Sequence, residues 1–225
     1  MAITTNVAGF NFFGEVNNPS INVTLAAGTS RVACIWIGSN QSETDPVTTV
    51  EFDGNDCGAA VVSQESSSNQ GVRGSLYYYD ISDAMGTGSK TIQTTAGNAG
   101  KGRWIFCVVI NDAATGGPEA TDFLNASGTD LNHEITTLST NNFVISGALR
   151  SSRPGQGNSG HDNFNDGAFE SVAGWCSSDY AVASGTYTYD YALILGGNAA
   201  DNVHVLAAWA EAAGGPTRNR AMVVS

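Results

Sequence analysis

The chain has 225 residues, long enough for one large β-sandwich or, as the alternative, two small domains. Only 13% of them are charged, about half the usual share, and Gly, Ser, Thr and Asn fill the gap beside a 41% hydrophobic fraction. Those residues make turns and strand surfaces but poor helices. Twenty-one acidic residues against nine basic ones give a net charge of −12, which excludes nucleic acid as the main partner and disfavours an anionic membrane surface.

The opening MAITTNVAGFNFFGEV has no basic segment followed by an apolar one, so it does not read as a secretory signal. The longest core-like run, Trp104 to Ile110, is far too short to span a membrane. Maturation in a cytoplasm is the expectation, and the cysteines agree with it. Cys34 and Cys107 sit inside apolar runs, Cys57 follows a turn and Cys176 follows Trp175, with no metal-ligand spacing among them. Reduced thiols are expected. The sequons at Asn22, Asn40 and Asn125 carry no weight without secretion.

In chain order, Val32 to Ile37 is apolar on both faces and predicts a central strand covered on both sides. Around Thr48, Val50 and Phe52 the residues alternate, and Asp53-Gly54 should close a hairpin because both residues tolerate positive φ. Tyr77 to Tyr79 forms a strand, Ser82 to Met85 at most one helical turn, and Gly86-Thr87-Gly88 leads into a strand over Thr91 to Thr95. Trp104 to Ile110 is the second central strand. Phe143, Ile145 and Leu149 share a face around Gly147. Ser151 to Gly167 is polar and rich in Gly and Asn, an exposed excursion. Ser184-Gly185 then separates Tyr180 to Ala183 from an alternating strand carrying Tyr187, Tyr189, Tyr191 and Leu193. Val203, Val205, Ala207 and Trp209 share the face of a last strand. About a dozen short strands at this spacing predict an all-β fold, an antiparallel sandwich. No internal repeat is visible. One domain over residues 1–213, with the long loop 151–167, is expected, followed by an extension over 214–225.

The stretch from Pro46 to Asp112 resembles a pattern in phage structural proteins and bacterial surface proteins with a jelly-roll, lectin-like sandwich. The residues that carry it are the Val-Thr-x-Val strand with its Gly turn (Val47 to Ser63), the aromatic strand Gly74-Ser75-Leu76-Tyr77-Tyr78-Tyr79, the Gly-x-Gly turn into Thr91-Ile92-Gln93-Thr94, and the apolar strand Trp104 to Ile110. Ala27-Gly28-Thr29-Ser30-Arg31 before a central strand also fits. The resemblance implies an antiparallel jelly-roll β-sandwich and, in phages, a capsid decoration protein, head fibre or tail component. It carries no catalytic signature.

The residues themselves supply little chemistry. His133-Glu134, His161-Asp162 and His204 are the histidines, and His204, opposite the apolar face of its strand, is expected to face solvent or a second sheet. No Gly-x-Ser-x-Gly elbow marks a nucleophile. Glu51 and Glu170 lie in strand-like segments without a paired acid. Asp162 to Gly167 is oxygen-rich but lacks the spaced ligands of a calcium loop. No catalytic, cofactor-binding or metal-ligating residue is assigned, no cofactor is expected, and the protein is read as no enzyme. Tyr77 and Tyr79, sharing a face with Arg73, are candidates for stacking on a glycan or packing a subunit. Arg218, Arg220, Met222, Val223 and Val224 are the candidate partner-binding residues, an assembly arm whose arginines suit an acidic neighbour and whose valines suit a strand edge. The expectation is a virion structural protein that forms homo-oligomers and binds other virion proteins. The alternative is a carbohydrate-binding module or adhesin.

Overall fold

The computed structural model describes residues 3–13, 16, 18–40, 47–66, 71–96, 103–128, 133–151, 165–169, 172–189 and 200–213. Within them every paired strand is antiparallel and no α-helix occurs. The first half holds β1 (Thr4–Phe13), β2 (Ser20–Leu25), β3 (Arg31–Asn40), β4 (Val47–Phe52), β5 (Asn55–Asp56), β6 (Val62–Glu65), β7 (Val72–Ile81), β8 (Gly88–Ala96) and β9 (Arg103–Asn111). A single 3-10 turn, Asp83–Met85, follows β7. The second half holds β10 (Ala120–Gly128), β11 (His133–Thr137), β12 (Asn142–Arg150), β13 (Asn165–Phe169), β14 (Val172–Val182), β15 (Gly185–Tyr189) and β16 (Ala200–Trp209).

Alternation sets the faces. In β2, Ile21, Val23 and Leu25 are buried while Ser20, Asn22 and Thr24 are exposed. The hairpin between β4 and β5 turns at Asp53 and Gly54, with φ of 52° and 77°, as the Asp-Gly pair requires. β3 and β9 are buried on both faces because their sheet lies in the middle of the molecule.

Four sheets stack in layers. A five-stranded sheet, β1-β9-β3-β7-β6, packs one face on the four-stranded sheet β2-β8-β4-β5 through Ile35, Ile105, Cys107, Val50, Phe52 and Ile92. Its other face packs on a second five-stranded sheet, β10-β16-β12-β14-β13, through Trp36, Trp104 and Phe106 against Phe143, Val205 and Trp209. The two-stranded layer β11-β15 covers the far side of that sheet through Ile135 and Tyr189 against Val144, Leu206 and Ala208.

The repeat that the sequence hides is in the topology. In the first half β1 pairs β9, β2 pairs β8 and β3 pairs both β7 and β9, with β6 added at the edge of β7. In the second half β10 pairs β16, β11 pairs β15 and β12 pairs both β14 and β16, with β13 added at the edge of β14. The registers also agree. Val32, opposite Ile110, corresponds to Phe143, opposite Trp209, and Gly38, opposite Trp104 and Gly74, corresponds to Leu149, opposite Val203 and Gly174. Ser30 and Asn141, each just before the central strand of its half, both have positive φ, 44° and 61°. Among the described residues, two halves of like strand pairing pack on one shared core.

The contact between the halves is reciprocal. A Cβ on Gly74 would touch Val203 and Val205, and a Cβ on Gly174 would touch Trp104, the counterpart of Val203. Trp36 lies against Gly147, its own counterpart, and Gly38 against Leu149, its own counterpart. Positions along the strands match while the neighbouring strands exchange, so an approximate twofold axis runs along the strand direction between β3 and β12. Such self-complementary contacts are those of a symmetric dimer, here made within one chain.

All four cysteines are thiols and none is in a disulfide, as the sequence led us to expect. Burial raises Cys34 and Cys107, and it pushes Cys57 up to about 12 with Asp56 adding to the shift. In the native protein at mildly alkaline pH, an alkylating reagent is expected to label Cys57 slowly and the other three not at all. All four should label in denaturant, and intact mass should show four thiols. Rapid native labelling of Cys34 or Cys107 would contradict this packing.

Candidate functional site

The two halves differ most in the layer between each five-stranded sheet and its outer sheet. Corresponding positions in the first half are apolar: Ile21, Ile35, Tyr77 and Ile105 all belong to one buried cluster. In the second half the same register places hold His133, Ser146, Ser177 and His204. Ser146, Ser177 and His204 are fully buried, and Arg150 and Asn202 are buried on the same sheet face. A polar group in such a place must find a partner or be destabilising. Ile35, Tyr77 and Ile105 make the first-half counterparts of Ser146, Ser177 and His204 apolar, whereas Arg150 and Asn202 answer Ser39 and Arg103, which are buried and polar as well.

The partners are specific. Ser146 on β12 and His204 on β16 share a hydrogen bond of 2.7 Å between Oγ and Nε2. The His204 ring lies 5.6 Å from that of His133 on β11, tilted by 56°. His133 Nε2 comes within 3.5 Å of Asp122 Oδ1 on β10, yet makes no hydrogen bond. Burial holds the His133 ring below the ordinary histidine value, and Asp122 and Glu134 only partly offset it. The approach to Asp122 favours the charged ring, but desolvation is the larger effect and disfavours it.

Ser146 and His204 are at the separation of a nucleophile and its base. Both are fully buried, so no substrate reaches the hydroxyl unless the covering layer moves. Among the described residues no group of three His, Cys, Asp or Glu side chains is arranged to hold a metal ion.

The other candidates fall elsewhere. Tyr77 and Tyr79 do not form an exposed strip. Tyr77 is 7% exposed, and Tyr79 is half-buried and stacked on Phe52 at 5.6 Å, because the outer sheet covers their face. Arg73 pairs with Glu65. His204, expected to face solvent or a second sheet, is covered by the two-stranded layer and reaches no solvent. Glu51 is half-buried on β4, opposite Asp56 and Gln93. Glu170, His161, Asp162 to Phe164, Arg218, Arg220, Met222, Val223 and Val224 lie outside the described residues. Sequence reasoning did not single out Ser146, because a polar residue alternating with Phe143, Ile145 and Leu149 reads as a solvent face. No family model and no curated protein matches the chain.

Proposed function

We propose that the chain is a non-enzymatic structural subunit of a virus particle, built as two fused jelly rolls, that acts by self-association and attachment to neighbouring virion proteins. The observation that carries this reading is the nested strand pairing. First with last, second with second-last, third with third-last and an inner pair is how a jelly roll winds, and β1–β9, β2–β8, β3–β7 and β4–β5 follow that order. The second half repeats the outer three pairs. Jelly rolls of this kind serve in viral capsids and lectins. The polar, weakly charged composition suits a subunit that works through its surface.

The test is assembly. The full chain should self-associate in analytical ultracentrifugation at micromolar concentration. Deleting residues 217 to 225 should leave the β spectrum unchanged and shift the protein towards monomer, because it removes Arg218, Arg220 and the apolar Met222, Val223 and Val224. A truncated chain that assembles as well as the full one would remove the arm from the mechanism. A full chain that stays monomeric at all concentrations would sink the reading.

A further inference from the structure

We propose that the two-stranded layer β11–β15 is a pH-sensitive flap, which acidification loosens from the second five-stranded sheet while the first half stays closed. The two halves act as an internal control. At matching register places the interior holds Ile35 and Ile105 in one half and Ser146 and His204 in the other, while both halves also bury polar residues, Ser39 and Arg103 against Arg150 and Asn202. Among the described residues the flap's apolar contact is Ile135 and Tyr189 over Val144, Leu206 and Ala208, with Ala120 and Tyr187 beside it. In the first half β2 and β8 are held by a larger cluster and by β4 pairing along the edge of β8.

A proton on His133 arrives in a crowded place. Asp122 of β10 faces it at 3.5 Å, and the His204 ring of β16, bonded to Ser146 of β12, faces it at 5.6 Å. Tyr189 of β15 is its cross-strand partner. On its own strand Glu134 bonds Thr188 on the exposed side. Arg150 of β12 and Asp179 of β14 share the sheet face and have partners of their own. Burial disfavours the charged ring more than the carboxylates favour it, so the closed flap binds the proton less well than the open one. The sign follows. With the closed-state value below the ordinary one near 6.5, closure is at full strength at neutral pH and weakens as pH falls through about 6.5. The weakening stops once His133 is protonated in the closed state too.

Hydrogen exchange on the full chain, corrected for intrinsic rates, tests this at about pH 7.5 and about pH 5.5. Amides of β11 and β15 should lose protection at the lower pH, with β2 and β8 unchanged. His133→Ile, which installs the residue of the corresponding place, should abolish the pH effect. Equal protection at both pH values, equal loss in both outer layers, or a pH effect that survives in His133→Ile would each overturn the proposal. Should His133→Ile fail to fold, the titration of His133 by NMR decides. Its midpoint should lie below the ordinary histidine value and fall further in Asp122→Asn, whose exposed side chain can change without disturbing the core. A midpoint at or above that value overturns the proposal.

Discussion

Gly147→Ala is expected to destabilise the protein by about 3 kcal/mol, the upper end for an overpacked core. A Cβ on Gly147 would lie 2.0 Å from Trp36 Nε1, and Trp36 is fully buried. The indole has little room to retreat, since it also lies over Gly38, where an added Cβ would meet its Cη2 at 2.8 Å. Interiors packed to this density absorb such a clash by moving backbone or forcing a rotamer. Gly74→Ala is the control, because its nearest neighbour would be an ordinary contact at 3.4 Å. Denaturant unfolding should place Gly74→Ala within about 1 kcal/mol of the parent. Trp36→Leu should recover part of the loss in the Gly147→Ala background while destabilising the parent. A Gly147→Ala protein as stable as the parent would mean that Trp36 does not sit on β12.

The second expected result is that the chain can be cut in two and will reassemble. Gly116 and Gly117 lie between the halves in the left-handed region, with φ of 90° and 111°, outside any strand. Fragments 1–116 and 117–225, expressed together, should co-purify as a one-to-one complex. Expressed singly, each should aggregate or bind a hydrophobic dye strongly. The reason is the face each would expose: Val32, Cys34, Trp36, Leu76, Trp104 and Phe106 on one, Phe143, Ile145, Leu149, Val203, Val205 and Trp209 on the other. Apolar patches of that extent do not stay in water on a soluble monomer. Two soluble fragments that ignore each other would refute the shared core.

Much of the fold was legible because alternation reports burial directly. The double-sided apolar runs at Val32–Ile37 and Trp104–Ile110 pointed to central strands, and β3 and β9 are those strands. The Asp53-Gly54 hairpin and the short turn at Asp83–Met85 were legible from turn chemistry. β1 and β10 were not, because Thr, Asn, Gly and Ala dilute their alternation and, among the described residues, one edge of each carries no partner strand. The repeat was invisible for a related reason. Register fixes which positions correspond, yet at the shared core Trp36 answers Gly147 and Gly38 answers Leu149, so each half fills the space the other leaves. Complementary packing erases the identity that a sequence comparison would detect. The same substitution pattern hid the polar interior, since Ser146 and His204 gain meaning only when set against Ile35 and Ile105.

The direction of the approximate twofold axis has a consequence for how the molecule meets its surroundings. Because the axis follows the strands, corresponding corners of the two halves point to the same pole. The corner before β3, where Thr29 bonds Asp112, and the corner before β12, where Asn141 bonds Glu211, both flank the short ladder joining Ala113 to Glu211. One pole therefore displays a duplicated set of corners and the opposite pole a different duplicated set. A contact made once by a corner is available twice on the same side of a rigid body, without a linker to order. Weak contacts made by both corners of one pole would combine as avidity and fix the orientation of approach.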